Sequence, residues 1–412
     1  MSEVTSPLFS LPETILEVLL VTVGAILAAF ALYQLVLVVA ALFGRRRLAR
    51  RFSGEPARSR ISVVIPAHDE AAHVGRTVES LLAQTYPREL YDVVVVADNC
   101  TDDTAAVAAA AGAEVLVRNE PESRGKGRAL RWAFERILTR HTPPDAVVVV
   151  DADSLADPAF LSVLVDRFES GAEAVQGESL LVGDGSTAGS LRVAAFLLVN
   201  RARPLGRAVL GLPPSLAGNG MLFSRRLLLA QPWDAFTSAE DVEYDVKLGL
   251  NGFGRVFAYG AVLLSPVAPS ERAAEEQQLR WEGGKFHLAR VYIPTLLGRA
   301  VTRRKLALVD TAVELAVPPL GYHAAAAAAA TTAGVLLVVT SVIDGWAVIP
   351  AAVSAVALPF YVLIGMYAAE APSSSYRALI GAPALVLAKV RKAHRLLEFR
   401  PESWVRTERR GD

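Results

Sequence analysis

The 412-residue chain carries 42 Lys plus Arg against 42 Asp plus Glu, for a net charge of zero, and 52% of it is hydrophobic, with a mean hydropathy of +0.35. That balance gives nucleic-acid binding no electrostatic footing, because the basic residues gather beside apolar runs, where they set membrane topology and contact anionic lipid. The single cysteine, Cys100, excludes an intramolecular disulfide and fits a reducing compartment for the middle of the chain.

Val18 to Phe43 is a run of 26 residues without a charge, long enough to cross a bilayer with some tilt. Arg45, Arg46, Arg47, Arg50 and Arg51 follow it, whereas Glu3 and Glu13 precede it with no basic residue. The positive-inside rule therefore predicts an external segment over 1–17, a transmembrane helix over 18–43 and a cytoplasmic continuation. A cleaved signal peptide is the alternative, but the basic n-region is missing and the apolar run is too long for one.

Residues 60–300 read as a cytoplasmic domain. Strand-like runs at Ile61–Pro66, Tyr91–Ala97, Ala113–Val117 and Ala146–Val150 alternate with helix-like ones at Ala71–Gln84, Asp103–Ala111, Gly127–Leu138 and Pro158–Ser170. Continuous β-branched runs followed by helices predict an α/β fold around a parallel sheet covered on both faces. In such sheets ligands bind beyond the carboxyl ends of the strands. His68-Asp69-Glu70, Asp98-Asn99-Cys100-Thr101-Asp102-Asp103 and Asp151-Ala152-Asp153 all stand at those ends, so one crevice can collect them. Dinucleotide and P-loop readings lose their main support, since neither glycine-rich motif is present. Asp151 and Asp153 fit two readings: turn or capping residues before the helix near Asp157-Pro158, or carboxylates neutralised by a hard divalent cation shared with a diphosphate.

Towards the other end, 306–322 is apolar but interrupted by Asp310, Glu314 and Pro318-Pro319, which predicts an interfacial helix. Runs of 20 and 25 uncharged residues, 324–343 and 345–369, are separated only by Asp344 and read as a transmembrane hairpin. The remainder, 376–412, reads as an interfacial and basic cytoplasmic tail containing Lys389, Arg391, Lys392, Arg395, Arg400, Arg406, Arg409 and Arg410.

Five motifs in order, Val64-Ile65-Pro66-Ala67-His68-Asp69-Glu70, Ala97-Asp98-Asn99-Cys100-Thr101-Asp102, Asp151-Ala152-Asp153, Glu240-Asp241 and Gln277-x-x-Arg280-Trp281, resemble those of the family 2 glycosyltransferases of the GT-A (Rossmann-like) fold. In layout the chain is similar to their membrane-integrated branch: chitin-oligosaccharide, hyaluronan and cellulose synthases and ceramide glucosyltransferases. The resemblance implies an inverting, metal-dependent transferase that moves a sugar, hexosyl or N-acetylhexosaminyl, from a nucleotide sugar, with UDP expected, to a polysaccharide or glycolipid acceptor. It implies that Asp98 hydrogen-bonds the nucleobase, that Pro66, Ala67 and Glu70 frame base and ribose, and that Lys126 approaches the diphosphate. Asp151 and Asp153 would then serve Mg²⁺ or Mn²⁺, and Asp241 would be the general base beside Glu240. Gly218, Asn219 and Gly220 would line the acceptor site, bordered by Gln277, Arg280 and Trp281 on one helical face at i, i+3 and i+4. The family's usual threonine before the acidic pair is Ala239 here. A non-processive lipid glucosyltransferase and a catalytically silent nucleotide-sugar-binding subunit are the alternatives. Three spans supply little channel wall, so export of a polymer would call for a homo-oligomer or an export partner.

Overall fold

The computed structural model describes residues 11–49, 57–396, 398 and 399. The first ten residues of the expected external segment, Arg50 and Arg51, and the basic positions from Arg400 onward lie outside the described residues.

The first half of the domain forms as its β-branched runs dictate. Strand β1 (Ile61–Ala67) is buried on both faces apart from half-buried Pro66, as a central strand of a covered sheet must be. Helix α2 (Val74–Leu82) buries Val74, Thr77, Val78 and Leu81, one stripe at helical spacing. Then come β2 (Tyr91–Asp98), α3 (Thr104–Ala110), β3 (Glu114–Arg118), α4 (Lys126–Ile137) and β4 (Ala146–Val149). Strands β3, β2, β1 and β4 lie side by side in that order and all run parallel. Their carboxyl ends therefore open on one side of the sheet.

The second half departs from the predicted all-parallel sheet. After β5 (Leu155–Ala156), α5 (Phe160–Glu169) and β6 (Ala174–Val182), the chain passes through α6 (Thr187–Leu197), a π-helical turn at Leu198–Ala202 and α7 (Arg203–Val209). It returns through β7 (Met221–Ser224), α8 (Arg225–Ala230), α9 (Glu240–Asn251) and β8 (Arg255–Pro266). The sheet continues β4-β7-β6-β8-β5, with β7 antiparallel to both of its neighbours and β5 antiparallel to β8. A parallel connection needs a helix laid over the sheet, and here α7 packs along the N-terminal helix instead. Val63, Ile65, Val93 and Val148 fill one face of the sheet with α2 and α5, while Val64, Val94, Val147 and Tyr244 fill the other with α4 and α9.

Helix α1 (Leu11–Ala49) has 39 residues. At 1.5 Å per residue it is about 58 Å long, well beyond the ~30 Å hydrocarbon core. Its C-terminal half packs on the α/β domain: Gly206 of α7 approaches so closely that a Cβ there would lie 1.9 Å from the Leu37 carbonyl oxygen. Helices α10 (Glu271–Arg303), α11 (Leu306–Ala316), α12 (Leu320–Val339), α13 (Ile349–Ala368), α14 (Ser373–Ala378) and α15 (Ala382–Arg391) complete the described chain. Among the described residues, three helical stretches are long and apolar enough to cross a membrane: Pro12–Arg46, Leu320–Val339 and Gly345–Ala368. The single helix expected over 306–322 is two pieces, because Pro318 bars its predecessor from the helical region and Val317 turns out at ψ 118°. The apolar helix expected to start at 324 accordingly starts at Leu320.

Candidate active site

Of the residues expected at the parallel strand ends, His68, Glu70, Asp98, Asp151 and Asp153 line one cavity, whereas Asp69 and residues 99–103 are not among its lining. Pro66, Ala67, Glu70, Asp98, Lys126, Asp151, Asp153, Gly218, Asn219, Glu240, Asp241, Gln277, Arg280 and Trp281 all line this cavity of about 1960 Å³. Gly220 stands apart. Its N–H donates to the Val149 carbonyl at 2.9 Å and its carbonyl accepts from Gly177 at 2.8 Å, so it belongs to the sheet beneath the cavity floor.

At the parallel strand ends, Asp98 ends β2 directly beside Arg118, which ends β3. Arg118 donates to Asp98 Oδ1 at 2.5 Å, to Glu120 at 2.8 Å and to the Ser123 carbonyl at 2.7 Å, and it is almost wholly buried. Burial pushes the Asp98 carboxyl above its ordinary range, opposed by Arg118. Sequence reading missed Arg118, although a cation ending the strand next to an acidic strand end was a usable signal. Asn99 adopts φ +52°, as Asn tolerates, and its side-chain oxygen accepts from the Glu120 N–H at 2.7 Å, tying the two turns together. Asp69, Cys100 and Asp102 form a further cluster at these strand ends, but Thr101 and Thr104 already donate to its carboxylates.

Lys126 is the hinge of the site. It begins α4, and its ammonium donates to Asp151 Oδ1 at 2.5 Å and to the Gly218 carbonyl at 2.6 Å, with Glu240 at 3.7 Å. Burial opposes its charge, but Asp151, Glu240 and Asp241 outweigh burial and raise its pKa. Asn219 is buried and its amide is engaged within the protein: Oδ1 accepts from the Asp151 N–H at 3.0 Å, and Nδ2 donates to Ser154 at 2.9 Å and Ser179 at 3.3 Å. Its contribution to this wall is to hold the Asp151 turn. Gln176, another residue that sequence reading missed, secures the same loop by donating to the Asn219 carbonyl at 2.7 Å and accepting from the Ala217 N–H at 2.9 Å.

Asp241 lies in the first turn of α9, where its Oδ1 accepts from the Val242 N–H at 2.9 Å. Gly218, at φ +73°, packs against it so tightly that a Cβ would sit 3.0 Å from Asp241 Oδ2. Burial first, then the neighbouring Glu240 carboxylate, pushes the Asp241 carboxyl up to about 7, against the pull of Lys126. Glu240 is raised as well, by burial, with Lys126 opposing. Ala239 replaces the family's threonine where α10 crosses closely: a Cβ on Gly284 would lie 2.7 Å from the Ala239 Cβ. Gln277 and Trp281, on the same helix, line the cavity with the carboxylate pair. Trp281 is 41% exposed, with its ring 5.9 Å from that of Phe196, leaving an apolar surface open to the cavity.

The family model described as "Glycosyltransferase like family 2" matches residues 56–284, over half of the chain. The chain belongs to that family. Its GT-A architecture recurs in the mannosyltransferase PcManGT from Pyrobaculum calidifontis, solved in complex with GDP-Man and Mn²⁺, at TM-score 0.51 and 19% identity over 84% of this chain and 98% of that one. Among curated relatives, this family 2 glycosyltransferase is 35% identical over 111 residues to the low-salt glycan biosynthesis hexosyltransferase Agl6 of Haloferax volcanii, covering 27% of this chain and 25% of Agl6. It is 27% identical over 237 residues to the beta-monoglucosyldiacylglycerol synthase of a Synechocystis species, covering 54% of this chain and 47% of the synthase. The chain thus spans less than half the length of these curated relatives.

Asp151 and Asp153 present carboxylate oxygens at the cavity wall, Asp153 itself 8% exposed, and that hard donor set suits Mg²⁺ or Mn²⁺ with phosphate oxygens as further ligands. The arrangement joins the Glu240–Asp241 carboxylates, a cation-compatible turn and a lysine around one cavity.

Proposed function

We propose that this glycosyltransferase moves a hexosyl group, with inversion, from a UDP sugar to a lipid-borne acceptor at the cytoplasmic face of a membrane, using Mg²⁺ or Mn²⁺. The observation that carries this reading is the continuity of the cavity. It runs from Asp98 and Lys126, past Asp241 and Trp281, to Ala324 and Ala328 of α12 and Leu358 and Val362 of α13, which belong to the apolar stretches. A lipid bearing a hydroxyl head can reach the base from that side with its chains against the apolar helices. The Synechocystis relative, named for the synthesis of a glucosylated diacylglycerol, supports this reading.

Asp98, held by Arg118, meets the nucleobase between Pro66, Ala67 and Glu70. A divalent cation held by Asp151 and Asp153 would offset negative charge on the departing diphosphate. Lys126 lies beside that turn with its charge secured, and Arg280 reaches the same chamber, so both add positive charge near the leaving group. Asp241 takes the proton from the attacking hydroxyl as the new C–O bond forms at the anomeric carbon and the bond to UDP breaks. Trp281 seats the acceptor ring.

The test uses the full chain in mild detergent with lipid and either cation, a panel of nucleotide sugars, nucleoside diphosphate release, and sizing of labelled product. A single sugar on lipid is the expected product. A polymer ladder would replace this reading with that of a processive synthase, and UDP binding without turnover by any donor would favour a silent binding subunit.

A further inference from the structure

Beyond Trp281 the cavity passes a group of buried charges that the transfer chemistry does not use. Lys285 lies one turn further along the α10 face that carries Gln277 and Trp281, at i+8 and i+4 respectively. Arg203 and Glu314 line the cavity with it. Arg207 donates to Tyr33 at 2.6 Å, to Glu314 at 3.0 Å and to the Pro213 carbonyl at 2.7 Å, and pairs with Asp310, while Arg203 pairs with Glu314. Those bonds tie α1, α7 and α11 together and account for Arg207, Asp310 and Glu314 as structure.

They do not account for Lys285. Among the described residues no carboxylate forms an ion pair with it, and its ammonium donates to the Val317 carbonyl at 3.0 Å. The nearby Glu282 is taken by Lys389. Three cations, Arg203, Arg207 and Lys285, thus face two carboxylates, Asp310 and Glu314, and the pair beside them is neutral. Arg203 is 5% exposed and its Nε is buried without a partner among the described residues. An uncompensated positive charge in a low-dielectric wall is costly unless an anion joins it. Burial pushes the Lys285 ammonium down to about 8, against the pull of Glu314, as expected of a cation short of counter-charge. On the far side Ala324, Leu358, Val362 and, from α15, Leu385 and Val386 give the cavity an apolar wall, with Lys389 of α15, paired to Glu282, at its edge.

We propose that Lys285 and Arg203 form a headgroup site for a phosphate-bearing lipid, whose chains lie along α12, α13 and α15 while its head reaches towards Asp241. The inference rests on the lipid-acceptor reading and makes it specific: the acceptor carries an anionic phosphate near its reacting hydroxyl.

Binding to the full-length protein in neutral detergent is measured for dioleoyl phosphatidate, for dioleoylglycerol with the same chains and no phosphate, and for inorganic phosphate. Phosphatidate should bind about tenfold or more tightly than dioleoylglycerol, the scale of a charge-assisted hydrogen bond. Lys285→Gln should abolish the preference and Lys285→Arg should keep it. Equal binding of the two lipids by the unmodified protein, which needs no variant to fold, would overturn the proposal, as would a folded Lys285→Gln protein that keeps the preference. Stabilisation by millimolar inorganic phosphate equal to that by phosphatidate would assign the site to a free anion and overturn the lipid assignment. Acceptor-independent hydrolysis of the UDP sugar by the same preparation separates the two readings. Hydrolysis without lipid preference sinks only the headgroup site, whereas lipid preference without hydrolysis of any nucleotide sugar sinks the transferase reading.

Discussion

The two walls of the cavity are built by different means. On the donor side, functional groups sit within a few residues of the ends of β1, β2 and β4, and parallel pairing alone assembles them. On the membrane side, the polar groups are partners across long stretches of chain: Arg203 with Glu314 is separated by 111 positions and Arg207 with Tyr33 by 174. At the strand ends the carboxylates find cations close by, Asp98 with Arg118 and Asp151 with Lys126. Charges beneath apolar helices are tolerable only as one another's partners, which makes that wall a structural tie first and a binding surface second.

The comparison predicts that substitutions on the donor wall reduce rate while those on the membrane wall reduce stability. The largest rate effect should come from Asp241→Asn. Loss of a general base lowers kcat by about 10²- to 10⁴-fold, while UDP affinity measured by calorimetry stays nearly unchanged; a comparable loss of UDP binding would make Asp241 a donor-site residue instead. Glu314→Gln strands Arg203 and weakens the hold on Arg207, and breaking a buried pair costs about 3–5 kcal/mol. Thermal unfolding in detergent should show that loss, and an unchanged midpoint would mean that the tie between α7 and α11 is not structural.

Asn219→Ala removes the acceptor for the Asp151 N–H, at about 1–3 kcal/mol for the groups left unsatisfied. Its expected signature is a raised cation requirement, read from activity against Mg²⁺ concentration, with the same KM for acceptor. The smallest effect is one of pH. Only the ionised Asp241 accepts a proton, and burial and Glu240 place its pKa near 7, so kcat/KM should fall by about tenfold per unit below that value and level off above it. Asp241→Asn should lack this limb, and a limb lying below pH 5 in the unsubstituted protein would contradict the burial of that carboxyl.

Where sequence reading succeeded, the signal was local. A β-branched run followed by Asp98 or by Asp151-Ala152-Asp153 announces both the strand and its ligand-facing end, and Lys126 between two glycines announces a charge close to backbone. Asn219 was legible as part of the site, yet its engagement with Asp151, Ser154 and Ser179 depends on β4, β6 and β7 being neighbours. Asp310 and Glu314 were visible as interruptions of an apolar run, but their partners on α7 were not, because nothing in the spacing of either segment points to the other.

The parallel half-sheet, the acidic residues at its ends and the apolar stretches were all legible in the sequence, since β-branched and apolar patterning acts over neighbouring residues. Only the packing of distant segments decided that β7 runs against its neighbours, that α10 presses Gly284 onto Ala239, and that Lys285, among the described residues, forms no ion pair with a carboxylate. Those outcomes turn on helix packing and on the balance of buried charge, sums over residues far apart in the chain that no local pattern records.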